Sequence, residues 1–356
     1  MSNGRPNVKI TDVRHIHVCG NKNTYCGHPR QGGIFDFGNG EIAMIHNHGS
    51  SEYKGPEDVL HGHEGYHGRA VSLLQRSTDG GETWPGENNI VVFDETADIE
   101  TRREFIIRGS AELKDREQID LTAPDSIVHF GNTWVGPADD KGMPLQVPFG
   151  LRSADKGLTW ESTPTVLVPP PGRQQLFRDN TPLMQFPDGT LMGTVSIWPE
   201  SAIGIYGSDD NGLTWEFLSE AVRPVSPLPA SEKAAVGYPG LVLLPSGRLQ
   251  CYSVEVSDKR NAIQMCHSDD GYSWTTPRSI VAWGRSPWAP RRRAGRDFGR
   301  SSYTFRKPDG STGTVLWDDG RADPHLAWMR PAASAEFIHP SEKLYRSQWP
   351  MLLSDG

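Results

Sequence analysis

Apolar positions along the chain fall in short runs that alternate with polar residues and stop at Gly, Pro, Asn or Asp, instead of repeating every three or four residues. That pattern predicts many short β-strands and little helix. One unit recurs, an apolar strand, a Gly-bearing turn and a second strand. It spans 34–42 with Gly40 in its turn, 127–134 with Gly131, 183–191 with Gly189, and 241–249 with Gly247. A fifth copy at 303–310 leads into the strand-like stretches 314–317 and 325–328. Each unit reads as one four-stranded blade of an all-β propeller. The segment 8–18 alternates like an outer strand and is expected to close the ring against the last blade.

Composition agrees: 38 Gly, 28 Pro and 11 Trp with only 36% hydrophobic residues suit turn-rich β structure. A length of 356 residues permits two domains. No linker-like stretch divides the chain, so a single domain over 1–356 is expected, with a tail from about 341. A net charge of −8 and a pI near 5.8 argue against a nucleic-acid partner, whose phosphates demand a basic surface. No run approaches the roughly 18 apolar residues of a membrane span, and the start lacks a leader's basic-then-apolar pattern. A soluble chain without a membrane partner is expected, cytoplasmic or secreted after processing. The cysteines form two local pairs, Cys19 with Cys26 and Cys251 with Cys266. Neither has zinc-motif spacing, and both read as reduced thiols or short-range disulfides.

A stricter repeat sits inside these units. Ser77-Thr-Asp79-Gly-Gly81-Glu-Thr83-Trp84, Ser153-Ala-Asp155-Lys-Gly157-Leu-Thr159-Trp160, Ser208-Asp-Asp210-Asn-Gly212-Leu-Thr214-Trp215 and the shorter Ser268-Asp-Asp270-Gly271-Tyr-Ser273-Trp274 share one pattern. It predicts a turn in which the Asp carboxylate accepts backbone N–H bonds, a Gly takes positive φ, and the Trp packs between sheets. This is the Asp-box, and through it the chain, over about 8–330, resembles the sialidase (neuraminidase) superfamily. The resemblance implies a six-bladed propeller, with the sixth blade either around the strand-like 90–93 and 105–107 or around 279–288; a five-bladed ring is the alternative. It also implies that the boxes lie on the rim and that the site lies at the mouth of the central channel.

Sialidases hold a carboxylate with three arginines and use a Tyr nucleophile, a Glu that activates it and an Asp acid. Arg30, in His28-Pro29-Arg30, sits where the family's first arginine sits, and a guanidinium fork suits a carboxylate. Other residues just upstream of the innermost strands are Asp125, Arg178, Asp179, Tyr238, Arg300 and Ser301. Tyr238-Pro239 stands where the family carries Glu-Pro, and Ser301 falls on the position of its Tyr, so the standard mechanism is not expected. The loop 46–69 carries His46, His48, Asp58, His61, His63, Glu64, His67 and Arg69. Glu64 or His67 is expected as proton donor or base, assisted by Tyr238 and Asp125. Arg30, Arg69, Arg178, Asp179, Arg300 and Ser301 are expected to bind substrate, a glycan bearing an acidic sugar. No cofactor is required by this chemistry; His46, His48, His61 and His63 form a candidate zinc site, and calcium is a further option. Two rival functions are a uronate lyase working by β-elimination with Tyr and His, and a glycan-binding propeller without turnover.

Overall fold

The computed structural model describes residues 16–27, 33–54, 70–111, 116, 118–138, 144–173, 175–177, 184–186, 189–198, 201–223, 234–244, 246–257, 260–284, 301–306, 312–317 and 327–329. They form an all-β propeller with one helix. The first blade contains β1 (Thr24–Gly27), β2 (Ile34–Gly38), β3 (Glu41–Ser50), β4 (Ala70–Ser77) and β5 (Ile90–Asp94), and is followed by α1 (Ile99–Ala111). The second contains β6 (Ile127–Ala138), β7 (Pro144–Ser153) and β8 (Thr165–Val166). The third is made of β9 (Gln175–Phe177), β10 (Met184–Gln185), β11 (Leu191–Trp198), β12 (Ala202–Ser208) and β13 (Glu216–Val222). The fourth has β14 (Ala234–Leu243), β15 (Leu249–Ser257), β16 (Arg260–Ser268) and β17 (Arg278–Gly284). A three-stranded sheet follows, β18 (Ser301–Arg306), β19 (Thr312–Trp317) and β20 (Ala327–Met329). Every pairing is antiparallel, and β7 packs against β9, β11 against β14 and β14 against β18, so successive sheets stand side by side.

A six-bladed ring is not found among the described residues. Both proposed hiding places are otherwise employed: 90–93 and 278–284 are the outermost strands of the first and fourth blades. Residues 105–107, expected as strand, belong to α1. Asp98 accounts for this locally, since its carboxylate accepts the Thr101 N–H at 2.9 Å and the Thr101 hydroxyl at 2.9 Å, capping a helix start. The helix then buries Ile106 and leaves Ile107 exposed. The outer strand expected at 8–18 and the tail from 341 lie, but for 16–18, outside the described residues.

The four repeat turns have the predicted chemistry. In the first, Asp79 accepts the Thr83 N–H at 2.9 Å and its hydroxyl at 2.6 Å, Ser77 Oγ accepts the Gly81 N–H, and Trp84 Nε1 donates to Gly81 O. The others repeat the carboxylate bonds, and Gly157, Gly212 and Gly271 all have positive φ. Each turn begins at one register: Ser77, Ser153, Ser208 and Ser268 lie opposite Ile42, Ile127, Leu191 and Leu249. That makes β3, β6, β11 and β15 equivalent second strands, with the turns gathered at one end of the molecule.

The stretch 127–134, read as two strands and a turn, is therefore one long strand. Gly131 sits mid-strand because the Phe149 ring lies 2.5 Å from where its Cβ would be. Three apolar cores fill the seams between blades. One runs from Ile45, Leu74 and Phe93 to Phe149 and Leu151, the next from Phe130 to Ile197 and Tyr206, and the third from Ile203 and Ile205 to Leu241 and Cys266. Cys251 and Cys266 face each other across β15 and β16 as free, buried thiols.

Candidate functional site

The innermost strands of three blades are interrupted at one height. In the first blade β1 stops opposite Asn47 and β2 resumes opposite Met44. In the third, β9 stops opposite Ser196 and β10 resumes opposite Met192. In the fourth, β14 bulges at Tyr238-Pro239, which together oppose Ser253. Counted from the shared origin at Ile42, Leu191 and Leu249, these breaks coincide. β18 begins with Ser301 opposite Trp317.

Arg30, Arg178 and Asp179 belong to the links between strand halves, Tyr238 to the bulge, and Arg300 immediately precedes β18. The link from β3 to β4 leaves from this same end, since Gly49 pairs with Ala70, and it carries His61, His63, Glu64, His67 and Arg69. Arg30, His61, His63, Glu64, His67, Arg69, Arg178, Asp179 and Arg300 lie outside the described residues, and Tyr238 and Ser301 are placed by backbone register.

Asp125 does not join them. It lies at the repeat-turn end, half-exposed, where its carbonyl accepts the Lys156 N–H at 2.6 Å and its carboxylate is 3.7 Å from Lys156 Nζ. The reason is the identity of β6: as a second strand, it starts at the turn end, so the residue before it is carried away from the interrupted end. A cleft of about 350 Å³ between the third and fourth blades, lined by Asp209, Glu216, Asp269 and Tyr272, is also at the turn end.

His46 and His48 are not loop residues but lie on β3, two apart and so on one face, with ring centroids 5.8 Å apart. Two cysteines meet them there. Asn21 and Thr24 exchange backbone hydrogen bonds at 3.1 Å, which folds the chain back after Gly20, at φ 93°, and brings Cys19 beside Cys26. Cys26 in turn pairs with His48 across β1 and β3, its Sγ 3.4 Å from Nδ1. The Cys19 and Cys26 sulfurs and a ring nitrogen of His46 lie within 4.8 Å of one another. Both cysteines are free.

The electrostatics fit that grouping. The hydrogen bond from Cys26, against the opposing effect of burial and with help from both imidazoles, brings the Cys19 thiol down to about 5. Cys26 is pushed up by the same bond and by burial. Burial disfavours the His46 cation, yet the hydrogen bond and charge of Cys19 outweigh it and the pKa rises, while burial and His46 lower that of His48. The sequence held one signal for this cluster, the turn-forming Gly20-Asn21-Lys22-Asn23 between the cysteines; the pairing with β3 had none.

No family model matches the sequence, and no curated protein matches it. Solved structures do. A protein of unknown function from Dyadobacter fermentans superposes with a TM-score of 0.55 at 14% identity, covering 85% of this chain and 77% of that one. A leech intramolecular trans-sialidase complexed with 2,7-anhydro-Neu5Ac gives 0.50 at 14%, covering 88% and 59%. The K499G mutant of NanB sialidase from Streptococcus pneumoniae gives 0.50 at 13%, covering 87% and 59%. The chain thus spans about three fifths of the length of these two sialidases. At such identities the likeness is one of architecture, and it establishes that this chain has the β-propeller fold of the sialidases.

Proposed function

We propose that the chain is a glycoside hydrolase that removes a terminal acidic sugar from a glycan, acting at the end where the innermost strands are interrupted. The observation that carries this reading is the shared height of the breaks in the innermost strands of three blades; in the sequence Arg30, Arg178 and Tyr238 fall at those breaks, and Arg300 directly precedes β18. A propeller turns equivalent points into a ring about its axis, and a ring bearing three guanidinium groups suits a carboxylate. The sialidase neighbours support the acidic sugar. In this reading Arg30 with Arg178 or Arg300 binds the carboxylate, Arg69, Asp179 and Ser301 bind the rest of the sugar, and Tyr238 assists. Glu64 or His67, on the link from β3 to β4, moves the proton.

The test is a panel of sialosides, uronides and rhamnosides read by both reducing-end release and near-ultraviolet absorbance. Reducing ends without absorbance are expected. An unsaturated product would make the protein a lyase, and affinity without turnover would make it a glycan-binding module. On the best substrate, Arg30→Ala is expected to lower kcat/KM by roughly a hundredfold, the scale of leaving a buried charge unpaired. An unchanged kcat/KM would remove Arg30 from the site.

A further inference from the structure

We propose that Cys19, Cys26, His46 and His48 form a structural zinc site at the interrupted end of the first blade. Among the described residues, Cys19, Cys26 and His46 are the one group of three or more such side chains whose donor atoms converge, all within 4.8 Å. His48 lies outside that 4.8 Å grouping, but its Nδ1 is 3.4 Å from Cys26 Sγ, and it would turn to supply the fourth donor. Bond lengths of about 2.3 Å to sulfur and 2.0 Å to nitrogen put the ligand atoms of a tetrahedral zinc roughly 3.5 Å apart, so small side-chain rotations close the set. Two thiolates and two imidazoles complete four-coordination, which is the composition of a closed structural site and leaves no position for a substrate. The donors also choose the ion: sulfur and imidazole favour zinc, whereas calcium and magnesium need oxygen ligands that this cluster lacks. Two thiolates neutralise the dication, so the assembled site carries no net charge into a half-buried place.

The surroundings hold the ligands as a metal site requires. His46 has an outer partner on each ring nitrogen, Gln75 Oε1 at 3.2 Å from Nε2 and Asn47 O at 3.2 Å from Nδ1. The ion would take one of these nitrogens in place of its oxygen partner, and the other would keep donating to its own, the bond that fixes ring orientation in metal-bound histidines. Gln75 is itself fixed, since its Nε2 donates to Val18 O at 3.3 Å and Trp84 O at 2.8 Å. The ligands come from a tight turn, from β1 and from two positions of β3, so one ion fastens the chain ahead of Arg30 to the second strand of the blade. The site is distinct from the four-histidine grouping read from the sequence, retaining His46 and His48 and replacing His61 and His63 by the cysteines.

The test uses the full chain, tag-free and purified under reducing conditions without chelator. Elemental analysis is expected to find about one zinc per chain. Cobalt replacing it is expected to give tetrahedral visible bands with thiolate charge transfer in the near ultraviolet, a signature that requires sulfur ligands. Cys19→Ser, Cys26→Ser and His48→Ala are each expected to lose the bound zinc, and Cys251→Ser to keep it. Should the ligand variants fail to fold, the cobalt spectrum of the wild-type chain decides the matter alone. A chain that neither carries zinc nor gives the cobalt spectrum overturns the proposal, as does a Cys19–Cys26 disulfide found by mass spectrometry in protein isolated under those conditions. None of these readouts depends on glycosidase activity.

Discussion

Glu95 lies where the first blade meets the second, its Oε1 accepting bonds from Thr133 Oγ1 at 3.2 Å and Trp134 N at 3.3 Å, with Arg102 at 3.4 Å. Burial outweighs these partners and pushes its carboxyl up from 4.5 to about 7. A raised acid pKa means that the folded chain holds more protons than the unfolded one between those values. The stabilisation is complete below 4.5 and is lost as pH rises through 7. Glu95→Gln, which keeps the neutral form at every pH, is expected to gain stability relative to the parent over that interval, read as urea midpoints at successive pH values; parallel profiles would mean that Glu95 titrates normally.

A contrasting carboxylate is Glu161, which takes bonds from Arg152 at 2.5 and 3.0 Å and from Arg116 at 2.6 Å. Arg152 is 1% exposed and also donates to the neutral Asn211 carbonyl at 3.1 Å, so Glu161 carries the negative charge bonded to it. Glu161→Ala is expected to cost about 3–5 kcal/mol in denaturant unfolding, chiefly from stranding that cation; a loss within experimental scatter would contradict this account.

At the level of elements, the four repeat turns share local bonds but not their burial. Trp215 is 8% exposed and packs edge-on against Phe130 at 5.2 Å in the seam between the second and third blades, whereas Trp84 stays half-exposed. Trp215→Ala is expected to cost about 3–5 kcal/mol, and Trp84→Ala distinctly less, in equilibrium unfolding of the two variants side by side. Equal costs would mean that the motif's worth lies in the turn itself. The turns were legible in the sequence because their partners are four residues or fewer apart. The role of 127–134 was not: Phe130-Gly131-Asn132 has the composition of a turn, but Phe149, brought opposite Gly131 by β7, fills the space beside it and keeps the strand straight. Residues 105–107 suit strand or helix equally, and Asp98, seven positions upstream, decides for helix.

For the molecule as a whole, the proposed site draws its residues from several blades, and the proposal requires them to act as a unit. If Arg30 and Arg178 grip one carboxylate, the double substitution to Ala is expected to lower kcat/KM little further than the worse single one, since the grip is already broken; full multiplication of the two losses would place them on separate groups. Chain position put Arg30, Arg178 and Asp179 on the links between strand halves and Tyr238 at the bulge, because a propeller repeats its geometry and the distance from a strand to the next turn recurs from blade to blade. Asp125 escaped that rule, as its blade lacks a described innermost strand and was counted from the wrong one.

By itself the sequence determined the all-β propeller class and the four turns, since the turns are encoded by residues within a few positions of one another. Only the tertiary structure decided which strands became second strands, where the innermost strands break, and that Cys26 stands opposite His48. Those outcomes depend on pairing between separate strands, and neither composition nor periodicity carries the register of such a pairing.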